Sequence, residues 1–217
     1  VKTCIIAGGM LEREFVLRFM REQKFDIILA ADRGLEFCNE ENIRPTYILG
    51  DFDSLKDGVL EKYRQENQVP IREFNPVKDN TDMDLALQQA IILGSSEIYI
   101  LGGTGGRLDH FFSTVQNLKK AWLKQIPAYL IDSRNLITLP CEKEFTIDRE
   151  TQHGTYVSFM PLEERVTGLT LEGFRYPLEN YTLINASGGL GVSNEIVEAQ
   201  GRVKYEDGIL LMIQSKD

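Results

Sequence analysis

The chain has 217 residues, 42% hydrophobic and 26% charged, ordinary for a globular protein with one large core or two smaller ones. Its formal net charge of −9 argues against nucleic acid or an anionic membrane as the main partner; phosphate is not excluded, since backbone amides and a bound cation can attract it locally. Cys4, Cys38 and Cys141 are too far apart for a zinc or disulfide pattern, no apolar run approaches the roughly 20 residues of a membrane span, and the first residues lack a signal-peptide pattern, so the reading is a cytoplasmic protein with no membrane partner.

Residues 3–9 form a short apolar run that reads as a strand and ends in Gly8-Gly9. A helical pattern follows over 11–23, with Phe15, Phe19 and Met20 among its apolar positions. A second apolar run, 26–31, closes in Asp32-Arg33-Gly34 and leads to a short helix over 35–42. The third strand, 46–49, runs into Gly50-Asp51-Phe52-Asp53-Ser54, where Ser54 is placed to cap a helix over 55–67. A fourth strand, 69–74, ends in Asn75-Pro76. The amphipathic helix 82–93 stops at Gly94, a residue common at helix ends. Strand 97–101 precedes the run Gly102-Gly103-Thr104-Gly105-Gly106, and helix 107–124 leads to a sixth strand, 128–131. Strands alternating with helices of this length predict βαβ units and a parallel, Rossmann-like sheet, with strands buried on both faces.

The pattern changes near Ser133. Strands are predicted at 135–139, 144–147, 155–160, 166–171, 181–186, 202–206 and 209–214, with Asp207-Gly208 as a hairpin turn between the last two. The expectation is an α/β domain over 1–134 followed by a small antiparallel all-β sandwich or barrel over 135–217.

Ligands of a doubly wound sheet bind outside the carboxyl ends of its strands. Four successive ends carry acidic or glycine-rich sequence. Asp51 and Asp53 alone could be a capped loop; two carboxylates so close also suit a hard cation such as Mg²⁺. Asp82 alone suits the start of its helix. The glycine run is neither a Walker loop nor a dinucleotide fingerprint; it is a flexible loop or a close approach to phosphate, with Arg107 as a cation for phosphate oxygens or a partner in a surface salt bridge. Asp109 and His110 fall in the first turn of the following helix, where a histidine serves structure more often than catalysis. Together these ends point to an enzyme with an acidic magnesium site and a phosphate-bearing ligand. Such a site fits transfer of a phosphoryl, pyrophosphoryl or glycosyl group.

The motifs Ala31-Asp32-Arg33-Gly34, Gly50-Asp51-Phe52-Asp53-Ser54, Lys78-Asp79-Asn80-Thr81-Asp82-Met83-Asp84 and Leu101-Gly102-Gly103-Thr104-Gly105-Gly106-Arg107-Leu108-Asp109-His110 resemble the thiamine pyrophosphokinase family, as do Gly173-Phe174-Arg175-Tyr176-Pro177-Leu178 and Val192-Ser193-Asn194-Glu195. The resemblance implies a homodimer that converts thiamine and ATP into thiamine diphosphate and AMP. It implies Asp51, Asp53 and Asp82 around Mg²⁺, with Asp51 or Asp82 accepting the hydroxyl proton. Thr81 and the loop of Gly103, Thr104, Gly105 and Arg107 would meet the phosphates, with Asp32, Asp109 and His110 close by. Thiamine would fall to Phe174, Tyr176, Ser193 and Asn194. The only tryptophan, Trp122, lies in a first-domain helix, so the resemblance points to Phe174 or Tyr176 for stacking on thiamine; the alternative is that both are β-domain core. Two other readings share a nucleotide site: an Asp-x-Asp glycosyltransferase, which releases a nucleoside diphosphate, and a nucleotide-sensing module without turnover.

Overall fold

The computed structural model describes residues 1–74, 81–186 and 188–217. They form two compact units, Val1–Ser133 and Arg134–Asp217.

In the first unit, β1 (Lys2–Ile6) is the centre of the sheet because Cys4, Ile5 and Ile6 are apolar in sequence and need cover on both faces. It pairs in parallel with β2 (Ile27–Ala31) on one side and β5 (Glu97–Leu101) on the other. From β2 the sheet extends through β3 (Tyr47–Gly50) to β4 (Ile71–Glu73), and from β5 to β6 (Ala128–Ile131), all parallel. The order β4-β3-β2-β1-β5-β6 reverses direction at β1, so the switch point lies between β1 and β5. The edge strand β4 is short and carries Arg72 and Glu73, which discourages further pairing.

Helices α1 (Arg13–Gln23), α2 (Gly34–Glu40), α3 (Val59–Glu66), α4 (Asp82–Ile92) and α5 (Leu108–Trp122) connect the strands. α1 buries Phe15, Val16 and Phe19, one stripe at helical spacing. α3 begins at Val59, four residues later than the sequence predicts, and Ser54 caps no helix there. Phe52 is drawn into the core at φ 60°, and Gly58 at φ 83° ends the turn, so residues 51–58 form a loop. Among the described residues no helix is long and apolar enough to cross a membrane.

The second unit is all β. One antiparallel sheet has the order β7 (Asn135–Thr138), β13 (Leu210–Ser215), β9 (Tyr156–Pro161). The other has the order β11 (Leu178–Ile184), β10 (Arg165–Glu172), β12 (Gln200–Lys204), β8 (Glu144–Asp148). Both contribute to one core, including Val157, Phe159, Leu171, Leu183, Val203 and Met212, which makes the unit a sandwich.

The predicted hairpin between the last two strands does not form. β12 pairs with β10 and β8, whereas β13 pairs with β7 and β9. Asp207-Gly208 instead carries the chain from one sheet to the other, pinned to β10 by Thr167 N–H donating to Asp207 O at 3.0 Å. The physical reason lies in the flanks. β12 buries alternate residues, while Leu210, Leu211 and Met212 are buried in succession, so the two do not continue one face.

Candidate functional site

The parallel strands bring their carboxyl ends to one edge, and the tightest point there is the switch point. Ala7 N–H donates to Leu101 O at 2.9 Å, Gly9 N–H to Gly102 O at 2.9 Å, and Met10 N–H to Thr104 O at 3.2 Å. The chain segments leaving β1 and β5 are thus joined backbone to backbone beyond the sheet. This requires glycine at Gly9 and Gly102: a Cβ on either would lie 2.2 Å or 2.4 Å from a carbonyl oxygen, and Gly102 also has φ 72°. Gly8-Gly9 is a part of the site that sequence reasoning passed over; its one signal was a glycine pair closing the first apolar run. The junction holds Thr104 buried and leaves Gly105 exposed beyond it. Gly103, between them, is half-buried.

Asp32 follows β2 at φ 46° and is half-buried. Gly34, two residues on, is needed because a Cβ there would meet Ile6 O at 2.0 Å. Ser54 Oγ donates to the Asp32 carboxylate at 3.2 and 3.4 Å, which is where this serine is used instead of a helix cap. Asp53 N–H points at Asp51 Oδ1 at 3.4 Å, turning the loop on itself. Burial raises the Asp32 carboxyl above its ordinary range; hydrogen bonds from the Arg33 N–H and Ser54 oppose this, and the charges of Asp82 and Asp51 reinforce it. Asp51, after β3, and Asp82, at the start of α4, therefore both act on the carboxyl of Asp32.

Among the described residues no three or more His, Cys, Asp or Glu side chains form a ready-made metal cage. Magnesium does not need one, since it binds through one or two carboxylates plus phosphate oxygens and water. The acidic donors of this edge fit that requirement.

The raised Asp32 carboxyl gives a testable sign. The folded chain holds a proton there more readily than the unfolded chain, so this stability is present at acid pH and is lost as pH rises through the folded-state pKa. Asn at this position still accepts from Ser54 and tolerates positive φ. In metal-free buffer, Asp32→Asn is expected to melt higher than the parent at pH 7. The gap should close as pH falls toward the ordinary aspartate value of about 3.9. A gap independent of pH would contradict this account.

At the start of α4, Thr81 is the cap, its hydroxyl accepting from Asp84 N–H at 3.2 Å, and Asp82 is the first helical residue. Asp84, buried, turns away to Lys120 of α5, with which it forms an ion pair, and accepts from Gln88 at 3.1 Å. The neighbouring motif residues Lys78, Asp79 and Asn80 lie outside the described residues. Arg107 donates to Asp109 through Nε at 3.1 Å and Nη2 at 2.6 Å, and Asp109 Oδ1 also accepts from His110 N–H at 2.9 Å. The pair holds the Arg107 guanidinium charged and the Asp109 carboxyl below its usual range. Arg107, Asp109 and His110 are all exposed.

The second unit brings its four predicted residues together on two adjoining segments, bridged by the pair Phe174 and Ile196. Asn194 is 3% exposed, and both polar atoms of its side chain are bonded to backbone. Oδ1 accepts from Tyr176 N–H and Glu195 N–H, both at 3.0 Å, and Nδ2 donates to Tyr176 O at 2.8 Å. Asn194 therefore holds the Tyr176 backbone. Phe174 is 4% exposed and meets Phe159 edge to face at 5.6 Å, so it belongs to the core and offers no face to a ligand. Tyr176 is 62% exposed. Ser193 is exposed at φ 56°, its N–H donating to Ser158 Oγ at 3.0 Å.

A parallel α/β sheet with an acidic, glycine-joined switch-point edge, followed by an antiparallel sandwich, defines a class of two-domain proteins with a nucleotide-type first domain. The chain belongs to the thiamin pyrophosphokinase family. The family model described as "Thiamin pyrophosphokinase, catalytic domain" matches residues 21–130, and "Thiamin pyrophosphokinase, vitamin B1 binding domain" matches residues 142–210. The chain is 37% identical to the thiamine pyrophosphokinase of Bacillus subtilis (strain 168) over 190 residues, 87% of each chain. A crystal structure of thiamine pyrophosphokinase from Bacillus subtilis is similar with a TM-score of 0.88 and 32% identity, covering 100% of both chains. Thiamin pyrophosphokinase from Candida albicans shares the fold at 18% identity, with a TM-score of 0.77, covering 99% of this chain and 90% of that one.

Proposed function

We propose that the protein transfers the pyrophosphoryl group of ATP to the hydroxyl of thiamine, giving thiamine diphosphate and AMP. The observation that carries the reading is the placement of Asp32 and Asp51 at the carboxyl ends of the neighbouring parallel strands β2 and β3, with Asp82 acting on Asp32, on the sheet edge that also bears the glycine-joined switch point. Family membership supplies the substrates.

The thiamine oxygen attacks the β-phosphorus of ATP, an O–P bond forms, and the bond from that phosphorus to the α-phosphate oxygen breaks to release AMP. Such transfer depends on placement and charge neutralisation more than on covalent help from the protein. The amides of the Gly103, Thr104 and Gly105 loop, with Thr81 and Arg107, receive phosphate oxygens; Asp109 orients Arg107. Asp51 or Asp82 accepts the hydroxyl proton. Asp51, Asp53 and Asp82 would hold Mg²⁺, which when bound offsets phosphate charge. Residues 1–134 serve the nucleotide and 135–217 serve thiamine, where Tyr176 offers an aromatic face and Ser193 a hydroxyl.

Two further parts belong to this reading. The protein acts as a homodimer, supported by Tyr181 and Ile184, which expose apolar surface on β11 at the end of its sheet, and by exposed Leu190 and Val192 close by. It is cytoplasmic, supported by three free cysteines, two of them buried. The test is incubation with ATP, Mg²⁺ and thiamine, with sedimentation of the same preparation. AMP and thiamine diphosphate in equal amounts are expected from a particle of twice 24.7 kDa. A nucleoside diphosphate product, or binding without turnover, would overturn the activity; a monomer alone would overturn the dimer.

A further inference from the structure

We infer that Glu36 is a positioning residue that ties down the loop carrying Asp51 and Asp53, an inference that rests on the proposed function. Glu36 lies on the buried face of α2 beside Leu35 and Cys38 and is only 7% exposed. A carboxylate so far out of water is unfavourable unless both oxygens find partners. Both partners come from one residue of the acidic loop. Oε1 accepts the Lys56 backbone N–H at 3.1 Å, and Oε2 lies 3.4 Å from Lys56 Nζ. Glu40, one turn on, accepts from the same ammonium at 2.9 Å, while Arg33 Nε stands 3.9 Å from Glu36 Oε1.

The other bonds of the loop's middle are longer: Ser54 Oγ reaches the Asp32 carboxylate at 3.2 and 3.4 Å. Leu55 N–H to Phe52 O is long at 3.4 Å, and Val59 N–H to Lys56 O is 3.3 Å. Phe52 fixes the start of the loop in the core and α3 fixes its end. Lys56 is where the span between them meets the helix. A buried glutamate on a seven-residue helix is an expensive choice for packing alone, since an apolar residue of similar volume would serve as well. Its geometry is explained by the loop. Placement of the two aspartates matters because a shift of about 1 Å at a reacting site can cost about 10²-fold in rate.

Glu36→Met separates the two roles, because it fills the same space without the tether. In metal-free, nucleotide-free protein, hydrogen exchange of residues 51–58 is expected to accelerate about tenfold while the melting temperature holds or rises. The Mg²⁺ concentration for half-maximal AMP release is expected to rise about tenfold, with thiamine KM unchanged. Glu36→Gln keeps a carbonyl for the Lys56 N–H and is expected to restore parental exchange and most of the metal dependence. Parental exchange of 51–58 in Glu36→Met would overturn the inference. So would faster exchange with no change in metal dependence. If Glu36→Met fails to fold, Glu36→Asp, one methylene short of the Lys56 N–H, carries the same expectations at smaller size, and parental exchange there overturns it equally. Absence of AMP release from the parent protein would instead remove the functional reading, while the exchange measurement still judges the tether.

Discussion

Asp51→Asn and Asp53→Asn are each expected to lower AMP release by at least about 10²-fold, since loss even of groups that merely support a metal ligand commonly costs 10–100-fold. ATP brings several negative charges to an edge where Asp51 and Asp82 already disfavour the charged form of Asp32. Two like charges about 4 Å apart repel by about 4 kcal/mol at an effective dielectric near 20. Without a cation, the nucleotide phosphates are therefore held off this edge. Asparagine keeps the shape of the Asp51 turn, whose oxygen faces Asp53 N–H, but removes the charge that the proposed function assigns to the cation. Melting temperature should move little, because Asp53 is exposed and asparagine matches the size of the half-buried Asp51; exposed substitutions change stability by about 0.5 kcal/mol or less. Chelator should abolish turnover in the parent. If the aspartates only shape the loop, both variants will release AMP at the parental rate.

The second large effect falls on stability. Asn194→Ala is expected to cost about 3 kcal/mol, because it strands the Tyr176 and Glu195 N–H groups and the Tyr176 carbonyl, each worth about 1–3 kcal/mol when buried without a partner. Thiamine KM should rise as well, since the segment bearing Tyr176 loses its anchor. Tyr176→Ala makes the contrast. Its ring is exposed, so melting should stay close to parental, while loss of an aromatic face worth about 0.5–2 kcal/mol to a cation should raise thiamine KM about 2- to 30-fold. Calorimetric melting beside KM for both variants separates anchor from contact. An Asn194→Ala protein as stable as the parent would refute the anchoring role, and an unchanged KM in Tyr176→Ala would refute the stacking one.

Much of the fold was legible because its signals are local. Apolar runs such as Cys4-Ile5-Ile6 and Ile98 to Leu101 can be covered on both faces only inside a parallel sheet, and the strand ends follow from that. The features missed depend on partners distant in sequence. Gly8-Gly9 means little until Gly102 lies across from it. Glu36 looks like an ordinary polar residue of a short helix until Lys56 closes on it. Asp207-Gly208 is a sound turn signal, but a turn does not say which sheet its flanks join; that depended on the burial of Leu210 to Met212. In sequence, Asn194 is a candidate hydrogen-bonding partner for a ligand, and Phe174 suits a ligand face or the β-domain core equally. The first proves to be a clamp on backbone and the second a core ring, since sequence cannot separate a polar or aromatic residue that meets ligand from one that builds the wall.

The central place of β1 also bears on the order in which the chain is assembled at the ribosome. β1, β2, β3 and β4 are made in succession and can zip together as they emerge, but the other edge of β1 has no partner until residues 97–101 appear. For that interval the backbone of Thr3 to Ile6, buried at every residue in the finished sheet, presents an unpaired edge of the kind that recruits other chains. The thermodynamic cost of waiting is small, since each doubling of a closing loop adds only about 0.6 kcal/mol. The hazard is kinetic: strand pairing between distant segments is slow and leaves nascent chains open to aggregation. The same reversal at β1 that creates a crevice for a ligand therefore makes the arrival of β5 the step that ends the nascent sheet's exposure.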